Sequence, residues 1–183
     1  MEFFDIIDEY GHKTGKQIMR GQPFQEGEYH LIVDVWIVDF QGNMLISKRS
    51  PGKMLEGLWE PTTGCVKAGE DSLPAAIREV KEELGLTLNP ADATLYLRHR
   101  CPSGLPYLRD VWVFRTPFDL HDVVLQEGET CDAKSANFQE ILDMVDRGAF
   151  MNRDVLPYID GLMRAIQQGT LAAAADAQGE STL

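Results

Sequence analysis

An amphipathic helix predicted over residues 72–84 constrains the fold most strongly, because strand-like segments both precede and follow it. Its apolar residues recur at the spacing of one helical face: Leu73, Ala76, Ile77, Val80 and Leu84. Asp71 or Ser72 can cap the N-terminus, and Pro74 fits the first turn. Gly85 follows the last residue, where a left-handed conformation commonly ends a helix. One face of this helix is therefore expected to pack on a core.

The flanking segments predict a sheet. β-branched and aromatic residues fill segments 29–40 and 44–49, and the Gln41-Gly42-Asn43 connection is typical of a hairpin. The first half also predicts a short strand over 3–10, a turn at 11–15, a polar loop at 22–28 and a long loop at 50–64. The second half predicts strands over 94–101, 108–116 and 132–138, a turn at 102–104, and helices over 139–147 and 155–168. This order of elements predicts an α/β sandwich with a mixed sheet.

The length of 183 residues suits one domain, and 44% hydrophobic with 25% charged residues is usual for a globular protein with a core. We predict that this domain spans residues 1–168. Residues 1–28 form an N-terminal extension that can lengthen a sheet or build a homodimer. From Thr170 the sequence TLAAAADAQGESTL is small and low in complexity, which predicts a disordered tail over 169–183.

The net charge of −12 disfavours a nucleic acid polymer as partner, since such binding draws on clustered Lys and Arg. No apolar run approaches the roughly 18 to 20 residues that cross a bilayer, so no membrane partner is expected. The acidic N-terminus lacks the features of a signal peptide, which predicts a cytoplasmic protein. Cys65, Cys101 and Cys131 are widely spaced and odd in number, so neither a disulfide framework nor a zinc cluster is indicated.

Three glutamates, Glu79, Glu82 and Glu83, share one stripe of the predicted helix. A solvated face is one interpretation, with Arg78 pairing with Glu82 four residues later. Yet two carboxylates near 4 Å repel by roughly 4 kcal/mol at an effective dielectric of about 20. A divalent cation would turn this repulsion into binding energy. Mg²⁺ in particular binds through a few carboxylates, retained waters and substrate phosphates.

The segment GCVKAGEDSLPAAIREVKEELGL, residues 64–86, resembles the Nudix box, Gly-x5-Glu-x7-Arg-Glu-U-x-Glu-Glu-x-Gly-U, where U is bulky and aliphatic. All seven fixed residues are matched, and Val80 and Leu86 fill the two U positions; the fixed residues are Gly64, Glu70, Arg78, Glu79, Glu82, Glu83 and Gly85. At average composition, the seven fixed residues would match by chance on the order of once in 10⁸ positions. The resemblance is therefore highly specific.

The resemblance implies a Nudix-type α/β/α sandwich with a mixed sheet, and a hydrolase that cleaves the diphosphate linkage of a nucleoside diphosphate derivative. It implies that Glu79, Glu82 and Glu83 hold Mg²⁺ or Mn²⁺ and that Arg78 orients them. By the same resemblance Glu70 ties the preceding loop to the helix, Gly64 lets the backbone approach the metal, and Gly85 completes the structural box. The expected partner is a small diphosphate compound.

Residues outside the box supply further candidates. Arg49 and Lys53 precede the box and are suited to contact the diphosphate, although solvated loop cations are an equal alternative. The general base in this family is a box glutamate or a distant acid. Glu82 is the first candidate, and Glu127 or Glu129 of LQEGET is the loop alternative, the other interpretation being a solvated acidic loop.

The segment before the box also resembles the isopentenyl-diphosphate isomerase branch of the superfamily, through His30, Arg49, Lys53 and Trp59. Isomerisation of a prenyl diphosphate is thus a rival activity. It is disfavoured for three reasons. Cys65 is offset from the isomerase cysteine, Val66-Lys67-Ala68 replaces Gly-His-Pro, and the isomerase Glu-x-Glu appears as Leu108-Arg109-Asp110. A sensor that binds nucleotides without turnover is the third possibility. The substrate itself stays open, because loops outside the box select it.

Overall fold

The computed structural model describes residues 1–101, 104–152 and 156–171. The strands are β1 Phe3–Ile7, β2 Lys13–Met19, β3 His30–Val38, β4 Met44–Arg49, β5 Trp59–Glu60, β6 Thr62–Cys65, β7 Ala93–Arg100, β8 Tyr107–Arg115 and β9 Thr130–Ala136. The α-helices are α1 Ser72–Leu84, α2 Phe138–Asp146 and α3 Ile159–Gln168. The central helix has the predicted bounds, and its flanking strands lie within a few residues of theirs.

Seven strands form one mixed sheet with the order β5-β4-β3-β8-β7, to which β6 adds beside β3 and β9 beside β4. β3 and β8 run parallel over their whole length, from the pair His30–Tyr107 to the pair Val38–Arg115. β3 and β4 form the predicted antiparallel hairpin, and the other pairs of this sheet are also antiparallel. The predicted mixed sheet is confirmed.

Two buried clusters cover the two faces of this sheet, because successive side chains of a strand point to opposite sides. Val33, Val35 and Ile37 of β3 pack with Ala76 and Val80 of α1 on one face. On the other face, the second cluster joins residues of the same strands to α2 and α3; its members include Trp36, Val38, Ile141, Leu162 and Ile166. The molecule is therefore a three-layered α/β/α sandwich, as predicted.

The N-terminal extension folds into a hairpin that the sequence predicted only in part. We expected one strand over 3–10 and a turn at 11–15, whereas β1 ends at Ile7 and β2 begins at Lys13. The turn forms earlier because Asp8 accepts hydrogen bonds from the backbone N–H groups of Tyr10 and His12, both at 2.9 Å. β2 escaped prediction because its first five residues are exposed and lack apolar alternation. The hairpin is a separate two-stranded sheet, joined to the core by a bridge between Ile7 and Tyr29.

Two further predictions need correction. The segment 50–64, expected to be a loop, contains β5 and most of β6, whose short runs lack a strand pattern. The last helix begins at Ile159, later than predicted; Val155, its expected start, lies outside the described residues. Most of the predicted turn at 102–104 and of the predicted tail also lies outside them, at 102–103 and 172–183. In the part of the chain that is described, no helix is long and apolar enough to span a membrane.

Candidate active site

Helix α1 is fixed at both ends, which sets the direction of its glutamates. Asp71 is the N-cap residue and has an extended backbone conformation, but its side chain makes no capping hydrogen bond. At the other end Gly85 has φ of 72°, and a Cβ there would meet the Cβ of Val124 at 2.9 Å. The loop that precedes β9 docks on this end, where the N–H of Gln126 donates to the carbonyl of Glu83 at 3.0 Å. Gly85 thus allows both the helix end and the close approach of the loop.

Arg78 organises the acidic residues around it. Its Nε and Nη2 donate to the two carboxylate oxygens of Glu70, both at 2.9 Å. Its Nη1 donates to Glu79 at 2.7 Å and to Glu82 at 3.0 Å. Its Nη2 also donates to the carbonyl of Cys65 at 3.0 Å, which anchors β6 to the helix. The pKa of Arg78 is raised, since these carboxylates outweigh the opposing effect of burial.

Gly64 leaves the space that the Glu79 side chain occupies. A Cβ at residue 64 would lie well under 3.0 Å from Cδ, Cγ and Oε1 of Glu79, a separation that real Cβ atoms essentially never show. Gly64 pairs with Val33 of β3, so the central sheet holds this backbone against the helix. Glycine is therefore required here by a close approach rather than by an unusual φ angle.

Glu83 is half-buried near a second carboxyl group, that of the buried residue Glu60 of β5. Burial, together with the negative charges of Glu60, Glu79 and Glu129, raises the pKa of Glu83 to about 9. Burial likewise raises the pKa of Glu60 to about 7, although Arg49 donates to Glu60 Oε1 at 2.6 Å and opposes the shift. Within the described ranges, Oε2 of each carboxyl group is buried without a hydrogen-bond partner. A bound cation would stabilise the ionised forms of both groups, because it would offset the repulsion between them.

We expect the metal-free protein to lose stability as pH rises from about 6.5 to about 9. In that window the folded state holds protons on Glu83 and Glu60 that the unfolded chain has already released, because unperturbed carboxyl groups titrate near 4.5. Burial lowers the pKa of His30 to about 4, so His30 makes stability rise with pH, but only between about 4 and about 6.5. Urea unfolding in EDTA would measure the trend, and Glu83→Gln should flatten it. An equal slope in this variant would contradict the assignment.

A cleft of about 510 Å³ lies in front of these residues. Of the residues predicted from the sequence, those that line it are Arg49, Lys53, Gly64, Arg78, Glu79, Glu82, Glu83 and Glu129. Glu70 lies behind Arg78, Gly85 ends the helix, and Glu127 is exposed on the loop away from this lining. The fold therefore brings residues from three separate chain segments to one cavity.

The end of β4 and the loop after it also line the cleft. Lys53 makes an ion pair with Glu129, and the N–H of Ser50 donates to the carbonyl of Glu129 at 3.0 Å. Arg49 Nε donates to the carbonyl of Met54 at 2.6 Å while its Nη1 holds Glu60. Both candidate phosphate contacts are thus ordered by acids, rather than being free solvated cations.

Basic side chains engage two of the three carboxylates of the helix. Arg78 binds Glu79 and Glu82, and Lys67 donates to Glu82 at 3.3 Å. Accordingly, the described residues contain no ready-made cluster of three or more His, Cys, Asp or Glu ligands. The donor set nevertheless suits a hard divalent ion, because three carboxylates of one helix border the same cleft and Glu83 has a buried free oxygen.

Three residues of the site were not identified from sequence. The negative charge of Glu60 raises the pKa of Glu83. Arg20 of the N-terminal hairpin lines the cleft and donates to Cys65 Sγ at 3.8 Å. Arg109 of β8 also lines the cleft. A signal existed for Arg109 only. It is a charged residue inside the apolar strand LRDVWVF, as Asp34 is inside LIVDVWIV, and the two form an ion pair.

The structure also places the residues that were weighed for and against an isomerase. Asp110 is fully buried and accepts hydrogen bonds from Arg98 Nε at 2.6 Å and Nη2 at 2.8 Å, away from the cleft lining. Cys65 lines the cleft, and burial raises the pKa of its thiol. His30 also lines it, stacked between Phe4 and Phe24 with ring centroids at 4.9 and 5.2 Å. Asp110 is therefore not available as a free acid in the cleft that Cys65 lines.

An α/β/α sandwich with an arginine-ordered set of glutamates beside a cleft defines a class of hydrolases that act on pyrophosphate bonds. The chain belongs to the Nudix hydrolase family, since the NUDIX domain model matches residues 28–159. Members of this family generally use divalent metal ions.

Curated relatives agree with this assignment. The chain is 32% identical over 155 residues to an uncharacterized Nudix hydrolase of Listeria monocytogenes, covering 82% of this chain and 89% of that protein. It is also 33% identical over 106 residues to the isopentenyl-diphosphate Delta-isomerase of Streptomyces griseus, covering 55% of this chain and 54% of that one.

Solved structures share the fold. A Deinococcus radiodurans crystal structure superposes with a TM-score of 0.68 at 19% identity, covering 91% of this chain and 98% of that one. A MutT protein from Methanosarcina mazei superposes with a TM-score of 0.58 at 20% identity, covering 79% and 96%.

Proposed function

We propose that this protein is a metal-dependent hydrolase that cleaves the diphosphate linkage of a nucleoside diphosphate derivative or a related organic pyrophosphate. The observation that carries the proposal is the convergence of Glu79, Glu82 and Glu83 on one wall of the cleft. Arg49 and Lys53 line the same cleft. Such an arrangement suits a substrate whose negative charge lies between a carboxylate-bound cation and fixed basic groups.

In this proposal Glu79, Glu82 and Glu83 hold Mg²⁺ or Mn²⁺. The bound metal would withdraw charge from the diphosphate oxygens and lower the pKa of a water. Arg78 keeps two of these carboxylates in place through Nη1 and is itself fixed by Glu70. The protein mainly positions and neutralises its substrate.

Glu82 is the general base that we propose. Its side chain is 41% exposed and borders the cleft, so it can reach a water there. Glu129, the loop alternative, is bound to Lys53, which restrains its position. Glu127 is the weaker alternative, because it is exposed outside the lining of the cleft. Arg49 and Lys53 contact the substrate phosphates in this scheme.

The isomerase alternative is favoured by the sequence resemblance before the box and by the relatives that carry that name. Proton transfer to and from a prenyl carbon needs an acid and a base on opposite sides of the substrate. Asp110 is engaged by Arg98, which argues against its use as one of them. A sensor that binds without turnover would not need the complete set of box glutamates.

A panel of diphosphate compounds tests the proposal. We expect release of phosphate or nucleotide from at least one nucleoside diphosphate derivative in Mg²⁺ or Mn²⁺, and its loss in EDTA. Isopentenyl diphosphate belongs in the panel and is scored separately for its allylic isomer. Formation of that isomer would favour the isomerase. Nucleotide binding without cleavage of any compound would favour the sensor.

A further inference from the structure

We infer that Arg109 forms a subsite for the group beyond the diphosphate, and that this subsite selects a planar ring bearing a carbonyl oxygen, such as a keto nucleobase. The inference rests on the proposed function for the position of the diphosphate. It concerns a residue of the cleft floor, on β8, outside the box helix and the two loops that border the glutamates.

The register of the sheet gives the separation from the box. Ile32 of β3 pairs with Arg109 on one side and with Cys65 on the other. Neighbouring strands are about 4.8 Å apart, so the Arg109 backbone lies roughly 10 Å from that of Cys65, the neighbour of Gly64. A diphosphate held at the box would therefore extend its attached group, rather than its phosphates, towards Arg109.

The guanidinium of Arg109 is fixed but not saturated. The residue is only 4% exposed, and Nη1 donates to Asp34 Oδ1. Asp34 is itself held by the hydroxyl groups of Thr63 and Tyr158, the first at 3.1 Å. Nε of Arg109 is buried and has no hydrogen-bond partner within the described chain. Because buried donors are nearly always paired, this cation is suited to an acceptor supplied by a ligand.

The local charge favours a neutral acceptor over a second anion. Asp34 already balances Arg109, and Arg20 is balanced by Glu2 at 2.9 Å. His30 is neutral at pH 7, since burial lowers its pKa to about 4. The cations suited to phosphate, such as Arg49, lie near the glutamates instead, since Arg49 binds Glu60 and its positive charge acts on Glu83. A carbonyl oxygen can accept from Arg109 without adding negative charge beside Asp34.

The surroundings are suited to a flat ring. Tyr107 lies two residues before Arg109 and so points to the same face of the sheet, and Leu105 and Met151 also line this cavity. The ring of His30 packs edge-on against Tyr107, and its buried Nδ1 is without a partner in residues 1–101, 104–152 and 156–171. The imidazole of His30 and the guanidinium of Arg109 line the same cavity, and together they suit the adjacent C=O and N–H of a lactam ring edge.

Inosine and adenosine 5′-monophosphates test this subsite, because their bases differ only at the keto or amino position and the adjacent nitrogen. With Mg²⁺ present, calorimetry should show that the wild-type protein binds inosine monophosphate roughly 10- to 100-fold more tightly than adenosine monophosphate. Arg109→Lys keeps the charge beside Asp34 but loses the guanidinium fork, so the two affinities should come within about 3-fold.

Arg98→Lys is the matched control. Arg98 also pairs with a buried aspartate, Asp110 on the neighbouring strand, but its own side chain is 38% exposed and is not part of this cleft lining. This variant should keep the inosine preference, and thermal melting shows that both variants are folded. Equal binding of the two nucleotides to wild type, binding of neither, or a preference retained in Arg109→Lys would overturn the inference. Absence of metal-dependent cleavage across the panel would instead count against the proposed function, since nucleotide affinity is read without turnover.

Discussion

Replacing Glu83 with glutamine is expected to lower turnover by at least roughly 100-fold, because the change removes a metal-ligand charge while preserving shape. Glu82→Gln should have a loss of similar size. Glu83 has a pKa raised to about 9 and a buried carboxyl oxygen that lacks a partner in the described residues, so a bound cation would stabilise its ionised form. Steady-state kinetics in saturating Mg²⁺, with calorimetric measurement of metal affinity, would check both variants.

Stability separates this effect from unfolding. Glutamine cannot ionise, so Glu83→Gln removes the repulsion from Glu60 and should leave the metal-free protein at least as stable as wild type. Glu26→Gln is the control, since Glu26 is exposed and is not part of the cleft lining, and it should keep wild-type turnover. Near-wild-type activity in both box variants would refute the metal assignment.

Gly64→Ala is the second change with a large expected effect. The added Cβ would overlap the Glu79 side chain, which must then leave its position beside Arg78 Nη1. Displacement of a catalytic group by about 1 Å can cost on the order of 100-fold in rate, and we expect a loss of that size. Overpacking should also lower the free energy of unfolding by about 1–3 kcal/mol. Kinetics and urea unfolding measure the two effects.

Gly161→Ala is the matched control for this substitution. Gly161 lies within α3, where a Cβ would meet only the Tyr96 hydroxyl, at 3.2 Å. Alanine favours a helix over glycine by roughly 0.5–1 kcal/mol, which offsets this contact, so turnover should be retained. If Gly64→Ala also kept full turnover and metal affinity, the close approach of Gly64 to Glu79 would have no catalytic meaning.

The helix and its box were predictable because their signals are local. The apolar period, Pro74 and Gly85 lie within fifteen residues, and the structure gives α1 the predicted bounds of Ser72–Leu84. The β3–β4 hairpin was predictable for the same reason, since a short connection with Gly42 joins two apolar runs. By contrast, β2 and β6 are stabilised as strands by their partners, and their own residues lack the alternation that predicts one.

The sequence by itself determined the family, the helix that carries the glutamates and the identity of the candidate metal ligands. The reason is that fixed spacing along one helix already puts these side chains on one face. Only the tertiary structure decided what surrounds them. Glu60 lies beside Glu83 because β5 pairs with β4, and Arg109 reaches the cleft floor because β8 pairs with β3. Strand pairing joins residues far apart in the chain, so the charge environment of the site depends on strand register. This register cannot be read from the pattern of any one segment, because it is set by how distant segments pack together.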